Sequence, residues 1–393
     1  MNNSGSRWVR SGRAWLTGPA GGPPDYSRSG ILTRAESVAA ELTARLGVSV
    51  DATAALTGRA ALLGLTRRGR ISAGGAARLM ATRDGWCALT LSRPDDVAAV
   101  PALVEADAVP DDPWPTVLDW VARQSSADVV ERAVLLDLPV ARLGETVAEA
   151  PGVTVAGSPT HPRPVAGLLV ADLSSMWAGP LCGQILGAAG ATVVKVESPG
   201  RPDGTRSGDK AFYDWINHGK LSYAIDFDDK RLRALLSVAD VVIEGSRPAA
   251  LARRGVSPQS LPGPRGRVWL RITGQGADSP RVAFGDDAAV AGGLVGTGMD
   301  GPVFCADAVA DPLTGLEAAL SVANSVCRGG GEVIDVVMAR VAATYAALPV
   351  EPAAGPMDPQ PPQPPPAAPP AAGLGADNDR VDTIVAQRLS VTC

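Results

Sequence analysis

The chain has 393 residues, enough for two domains and a tail. Hydrophobic residues make up 46% and charged residues 20%, and no apolar run reaches the roughly 18 residues of a membrane span. A net charge of −5 without a basic block argues against nucleic acid as a partner.

Residues 1–30 are rich in Gly, Ser, Arg and Pro and read as a flexible segment without the apolar core of a secretory signal. Residues 31–150 read as a small domain. It has a helix at Arg34–Leu46, a strand at Gly85–Leu91 and helices at Asp95–Val104, Trp114–Arg123 and Ser126–Leu136, with Ser125 or Ser126 as N-cap. Leu138–Leu143 reads as a closing strand. Residues 151–166 carry repeated Pro and Gly and read as a linker. Over 167–348 strands and helices alternate. Strands are expected at Gly167–Leu173, Thr192–Glu197, Leu221–Phe227, Val241–Glu244, Val268–Thr273 and Glu332–Met338. Helices are expected at Pro180–Ala189, Lys230–Val238, Pro248–Arg254 and Pro312–Val326, with another after Met338. That order implies an α/β fold: a Rossmann-like, mainly parallel sheet with helices on both faces, preceded by the smaller α+β domain. Residues 349–373 form a proline-rich linker, and 374–393 hold a closing helix at Asn378–Leu389.

The five cysteines are scattered without a CxxC pair, so neither zinc nor a disulfide framework is expected, and reduced thiols fit a cytoplasmic protein. The four lysines, Lys195, Lys210, Lys220 and Lys230, fall in one stretch, as a site for a phosphate-bearing ligand or as chance in an Arg-rich chain. The strand–helix–strand unit Leu168–Glu197 invites a dinucleotide reading but lacks GxGxxG. Its glycines Gly179, Gly183 and Gly187 are four apart, on one helix face, which suits close helix-to-strand packing.

The segments ADLSSMWAGPLCGQILGAAGATVVKVESPGRPDGTR, NHGKLSYAIDF, ADVVIEGSRPAALARRGV, RVWLRITGQG, FGDDAAVAGGLVGTG, ADAVADPLTGLEAAL and GGEVIDVVM occur in order between 165 and 345. Together they resemble the class III CoA-transferases, the CaiB/BaiF family, which includes formyl-CoA transferase, carnitine CoA-transferase and alpha-methylacyl-CoA racemase. The resemblance implies CoA transfer between carboxylic acids, with CoA as substrate and no further cofactor or metal. The family's nucleophilic aspartate lies in A-D-x-x-x-G before a long helix; here that is Ala310, Asp311 and Gly315. The residues alone also fit Asp311 as a helix N-cap followed by Pro312. Asp307, four residues earlier, is spaced wrongly for the helix. For CoA binding the resemblance points to Ser175, Met176, Trp177, Lys195, Arg201 and Arg253, with Lys220 and Arg206 in neighbouring matched loops.

Racemisation needs two acid/base groups. The family's racemases place a histidine where this chain has Asp286, which makes racemase the weaker reading. Two departures stand out. Residues 84–145 resemble the family's small domain, which normally follows the first part of the large one, and no segment matches the glycine-rich lid of formyl-CoA transferase. The family's interlocked homodimer implies a homodimer or pairing with a related subunit. The displaced small domain leaves a non-catalytic acyl-CoA-binding subunit as a third reading.

Overall fold

The computed structural model describes residues 8–9, 11–245, 251–351 and 358–392. Its smaller sheet is antiparallel and built from β1 (Ala77–Ala81), β2 (Trp86–Thr90) and β3 (Val140–Arg142). Met80, Cys87, Leu89 and Val140 pack there against Leu103, Val117, Val121 and Val129 from three helices, Val100–Val104, Trp114–Val121 and Ser126–Leu135. Ser125 caps the last of these: its hydroxyl accepts from Asp128 N, and Asp128 answers at Ser125 N. The helix expected over Asp95–Val104 is two short ones, Pro94–Ala98 and Val100–Val104, because Pro101 has no N–H to continue the ladder.

The larger sheet has seven strands: β4 (Gly152–Val155), β5 (Leu169–Asp172), β6 (Thr192–Glu197), β7 (Leu221–Ala224), β8 (Val241–Glu244), β9 (Val268–Thr273) and β12 (Glu332–Val337). Their order is β4-β12-β9-β8-β5-β6-β7, parallel throughout except for β4, which runs antiparallel to β12. A hairpin of β10 (Val295–Gly298) and β11 (Gly301–Phe304) lies between β9 and β12 in sequence. Alternation along the central strands sorts side chains into two cores. Val170, Val241, Ile243, Leu270 and Ile272 face the helices Ala178–Ala188 and Ala310–Cys327. Leu169, Ala171, Val242 and Trp269 face Lys230–Val238 and the closing helix Asn378–Thr392 through Leu232, Leu235, Val381 and Val385. The α/β architecture with helices on both faces thus follows from the strand patterning.

Several boundaries differ from the sequence expectation. Residues 1–30 were expected to be flexible, yet Trp8, Ala14, Leu16 and Tyr26 are buried in the first of these two cores. Residues 31–62, assigned by sequence to the small domain, form the expected helix (Gly30–Leu46) and an unexpected one (Ala52–Leu62) that send Leu32, Val38, Leu42 and Leu56 into that same core. Gly58 permits this approach, since a Cβ there would stand 2.7 Å from the Trp215 ring. The 151–166 linker contains β4, whose residues are all exposed; main-chain pairing to β12, without an apolar face, makes it a strand. Part of the proline-rich stretch, 358–373, lies against the protein: Pro362 and Pro365 are buried and Ala371 N donates to Asp214 Oδ1 at 3.0 Å. The helix expected at Pro248–Arg254 falls partly outside the described residues, at 248–250.

Candidate active site

In open parallel sheets the place where strand order reverses leaves a crevice at the carboxyl ends of the strands. Here β5 pairs with β6 on one side and β8 on the other, and the chain leaves β5 through Ser174–Trp177. Gly179 and Gly183 let the following helix come down onto this turn. A Cβ at Gly179 would overlap Ser174, and one at Gly183 would stand 2.9 Å from Asp172 Oδ2. Beneath the turn lies a buried polar cluster. Lys220 Nζ donates to Asp172 Oδ2 at 2.9 Å, to Pro180 O at 2.8 Å and to Asn217 Oδ1 at 3.1 Å. Lys195 Nζ pairs with Asp203 Oδ2 at 2.8 Å and donates to Ser174 O at 3.0 Å. Burial favours the protonated Asp172 carboxyl, but Lys220 and Lys195 outweigh it and hold the group below the usual carboxylate range.

Lys195 and Lys220, expected near the CoA phosphates, are buried and paired with acids, so in this structure they brace the turn. Arg206 is likewise paired, with Glu197 Oε2 at 2.6 Å. Of the remaining expected CoA contacts, Ser175, Arg201 and Arg253 are exposed. Met176 is 38% exposed and held at φ 71°, its N–H donating to the Asp203 carboxylate at 3.2 Å. Trp177 is only 2% exposed, so its ring packs inward, edge-on to Phe212 with centroids 5.5 Å apart.

Asp311 lies in the first turn of Ala310–Cys327 and does not cap it; Val309 holds the N-cap position. Its Oδ2 instead accepts from Gly285 N at 3.1 Å, at the start of the Gly285–Ala291 helix. A Cβ at Gly285 would overlap both Asp311 Oδ2 and Ala308 O, so glycine is what allows this approach. One turn further on, a Cβ at Gly315 would stand 2.8 Å from Ala178 O, which fixes the aspartate helix close beside the turn after β5. The loop entering the helix is strained: Ala306 and Ala308 sit at φ 57° and 42°, on either side of the fully buried Asp307. Asp286 Oδ1 holds that loop by accepting from Ala308 N at 3.1 Å.

Arg59 completes the site. Its Nη1 donates to Asp307 Oδ1 and Oδ2 at 2.6 and 2.7 Å. Its guanidinium carbon lies 5.7 Å from the Trp177 ring centroid and 5.6 Å from that of Phe212. Burial opposes the charge, but Asp307, Asp286 and Asp311 outweigh it and keep the guanidinium firmly protonated. Burial, then the facing Asp286 carboxylate, pushes Asp311 up to about 7, against the pull of Arg59 and the Gly285 N–H. Burial, then Asp307, pushes Asp286 up to about 7 as well. Asp287, buried and accepting from Thr90 Oγ1 at 3.0 Å, is also raised to about 7, chiefly by burial.

The structure therefore brings Asp311, Asp286 and Trp177 together with two residues that the sequence reading did not select. Asp307 had been set aside for its spacing. Arg59 lies 252 residues before Asp311 in a helix whose small apolar residues give little contrast, and no local motif marks it.

The raised carboxyls set the pH dependence of stability. A folded-state value near 7, against 3.8 for an ordinary carboxyl, means the stabilisation is present below about pH 4 and is lost as pH rises through 7. The melting temperature is expected to fall between pH 5 and pH 8, and Asp286→Asn is expected to flatten part of that fall in thermal scans.

Residues 165–371 match the profile of CoA-transferase family III, just over half of the chain. The chain belongs to that family. It is 31% identical to a succinate–glutarate CoA-transferase of Agrobacterium fabrum, over 48% of this chain and 54% of the relative. It is 28% identical to a formyl-CoA:oxalate CoA-transferase of Afipia carboxidovorans, over 44% and 46%. A solved CaiB/BaiF family protein from Brucella suis is 27% identical, covering 48% of this chain and 56% of that one, with a TM-score of 0.43. The chain spans about half the length of the curated relatives it matches. Among the described residues no helix is long and apolar enough to cross a membrane.

Proposed function

We propose that this chain transfers CoA between small carboxylic acids through a thioester formed on Asp311. The observation that carries the reading is the position of the Asp311 carboxylate, held by Gly285 N–H on a helix that Gly315 sets close beside the turn after β5, at the crevice of a family III sheet. An Asp311 oxygen attacks the carbonyl of the donor thioester and expels CoA thiolate, leaving a mixed anhydride. The thiolate attacks the aspartyl carbonyl and releases the donor acid, so CoA rests on Asp311. The acceptor carboxylate attacks this thioester and expels the thiolate. The thiolate then takes the acceptor acyl group and regenerates the Asp311 carboxylate. Charge and atoms balance at each step, and no redox partner is needed. A carboxylate suits the role because it is chemically matched to the acids exchanged. CoA is a substrate here and no cofactor is invoked.

The relatives named for succinate, glutarate and oxalate support small acids as the substrate class. Ser175, Met176, Arg201 and Arg253 remain our candidates for CoA contacts because all four are solvent-facing. We place the enzyme in the cytoplasm, as a homodimer or paired with a related chain.

The test is to incubate the protein with a panel of acyl-CoAs, trap with hydroxylamine or borohydride and map the product. The expected result is one adduct at Asp311. CoA binding without an adduct would instead favour a non-catalytic subunit. A racemase reading draws support from Asp286 and Asp311 both being raised to about 7, and it predicts α-proton exchange with D₂O in a 2-methylacyl-CoA.

A further inference from the structure

Arg59 is ion-paired with Asp307 at 2.6 Å, Asp286 and Asp311 bond the backbone at Ala308 N and Gly285 N beside it in the same site, and the charges of all three aspartates act on its guanidinium. Arg59 stands outside the family-matched stretch, on the Ala52–Leu62 helix, which Gly58 lets settle against Trp215. We infer that Arg59 is a positioning residue for CoA transfer: it keeps the Asp311 carboxylate ionised among its acidic neighbours and holds the strained 306–308 loop through Asp307. The inference rests on the proposed role of Asp311 as nucleophile.

The argument is one of charge balance. A carboxylate attacks only when ionised, and Asp311 sits partly buried where the charges of Asp286 and Asp307 act on it. Each added negative charge favours the protonated, unreactive form. Arg59 works in the opposite sense on both Asp286 and Asp311, while its direct ion pair is with Asp307. Other charges near the aspartate helix are committed elsewhere. The Ala178–Ala188 helix brings none. Arg34 pairs with Glu317, Arg340 with Glu149 and Arg271 with Asp335. Asp287 bonds Thr90 and Phe284 N. A hydrophobic replacement of Arg59 would leave the aspartates facing one another without this counter-charge.

The experiment compares Arg59→Met, Arg59→Lys and Asp307→Asn with wild type by two readouts. The first is the pH profile of aspartyl-CoA formation with a reactive acyl-CoA. In Arg59→Met its acidic limb is expected to move up by about one unit or more, a loss of roughly tenfold at pH 6.5 that recovers towards pH 9. Arg59→Lys is expected to shift less. Asp307→Asn removes one negative neighbour and is expected to move the limb down. The second readout is a ¹³C carboxyl NMR titration of the aspartates, assigned with Asp311→Asn and Asp286→Asn, which needs no turnover. A pH-independent loss of rate with unchanged titrations would overturn the inference and leave Arg59 a structural brace. An upward shift in Asp307→Asn would overturn it too, even if Arg59→Met does not fold. If wild type forms no adduct at all, the proposed function fails, and the titrations still decide whether Arg59 controls ionisation.

Discussion

Replacing Asp311 with asparagine is expected to abolish CoA transfer, by at least about a thousandfold in kcat/KM, and to eliminate the trapped adduct. The substitution is nearly isosteric, and the amide oxygen still accepts from Gly285 N, so the fold has little reason to change. Stability is expected to move the other way. Above pH 7 the wild-type site holds a carboxylate that the folded chain disfavours, whereas asparagine carries no charge there. Asp311→Asn should therefore melt close to wild type at pH 4 and higher at pH 8. Transfer within tenfold of wild type would remove Asp311 from the chemistry.

The second large effect is expected at Lys220, and it is structural. Lys220 and Asp172 are both buried, and Asp172 also accepts from Ser174 N at 3.1 Å. Lys220→Met leaves a carboxylate in the core without its partner, a loss of about 3–5 kcal/mol in urea unfolding. Removing both charges, as in Asp172→Asn with Lys220→Met, is expected to recover much of that, since the new amide oxygen still accepts from Ser174 N. Were Lys220 a phosphate contact, the single variant would instead keep its stability and raise the KM for acyl-CoA.

The sequence is most legible where burial and period agree. Thr192–Glu197, Val241–Glu244, Val268–Thr273 and Lys230–Val238 occupy the expected residues, because their apolar positions face a core at the spacing of their own element. β4 was not readable because no residue of it is buried; only pairing with β12 defines it. Ala52–Leu62 is not legible because its buried face is mostly small residues, Ala, Gly and Thr, and its partner, Trp215, lies far along the chain. The lysines show a related gap. Sequence reveals a charge but not the acid that folding brings beside it, so Lys195 and Lys220 read as ligand contacts until Asp203 and Asp172 are seen next to them. Asp311 is the converse case: ordered motifs singled it out, while its bond to Gly285 and its coupling to Asp286 and Arg59 appear only in three dimensions.

The closing helix and the early helices cover opposite faces of the same sheet. Val381 and Val385 seal one face, with Asp377 and Asn378 bonding the backbone of β7, while Leu32, Val38 and Leu56 help seal the other. The family-matched stretch is thus wrapped by chain from both its sides in sequence. An excised 165–371 would bare two apolar surfaces at once and lose the Arg59 counter-charge. For expression, labelling or grafting of this protein, the smallest self-sufficient unit is set by the wrapping segments and not by the motifs they enclose.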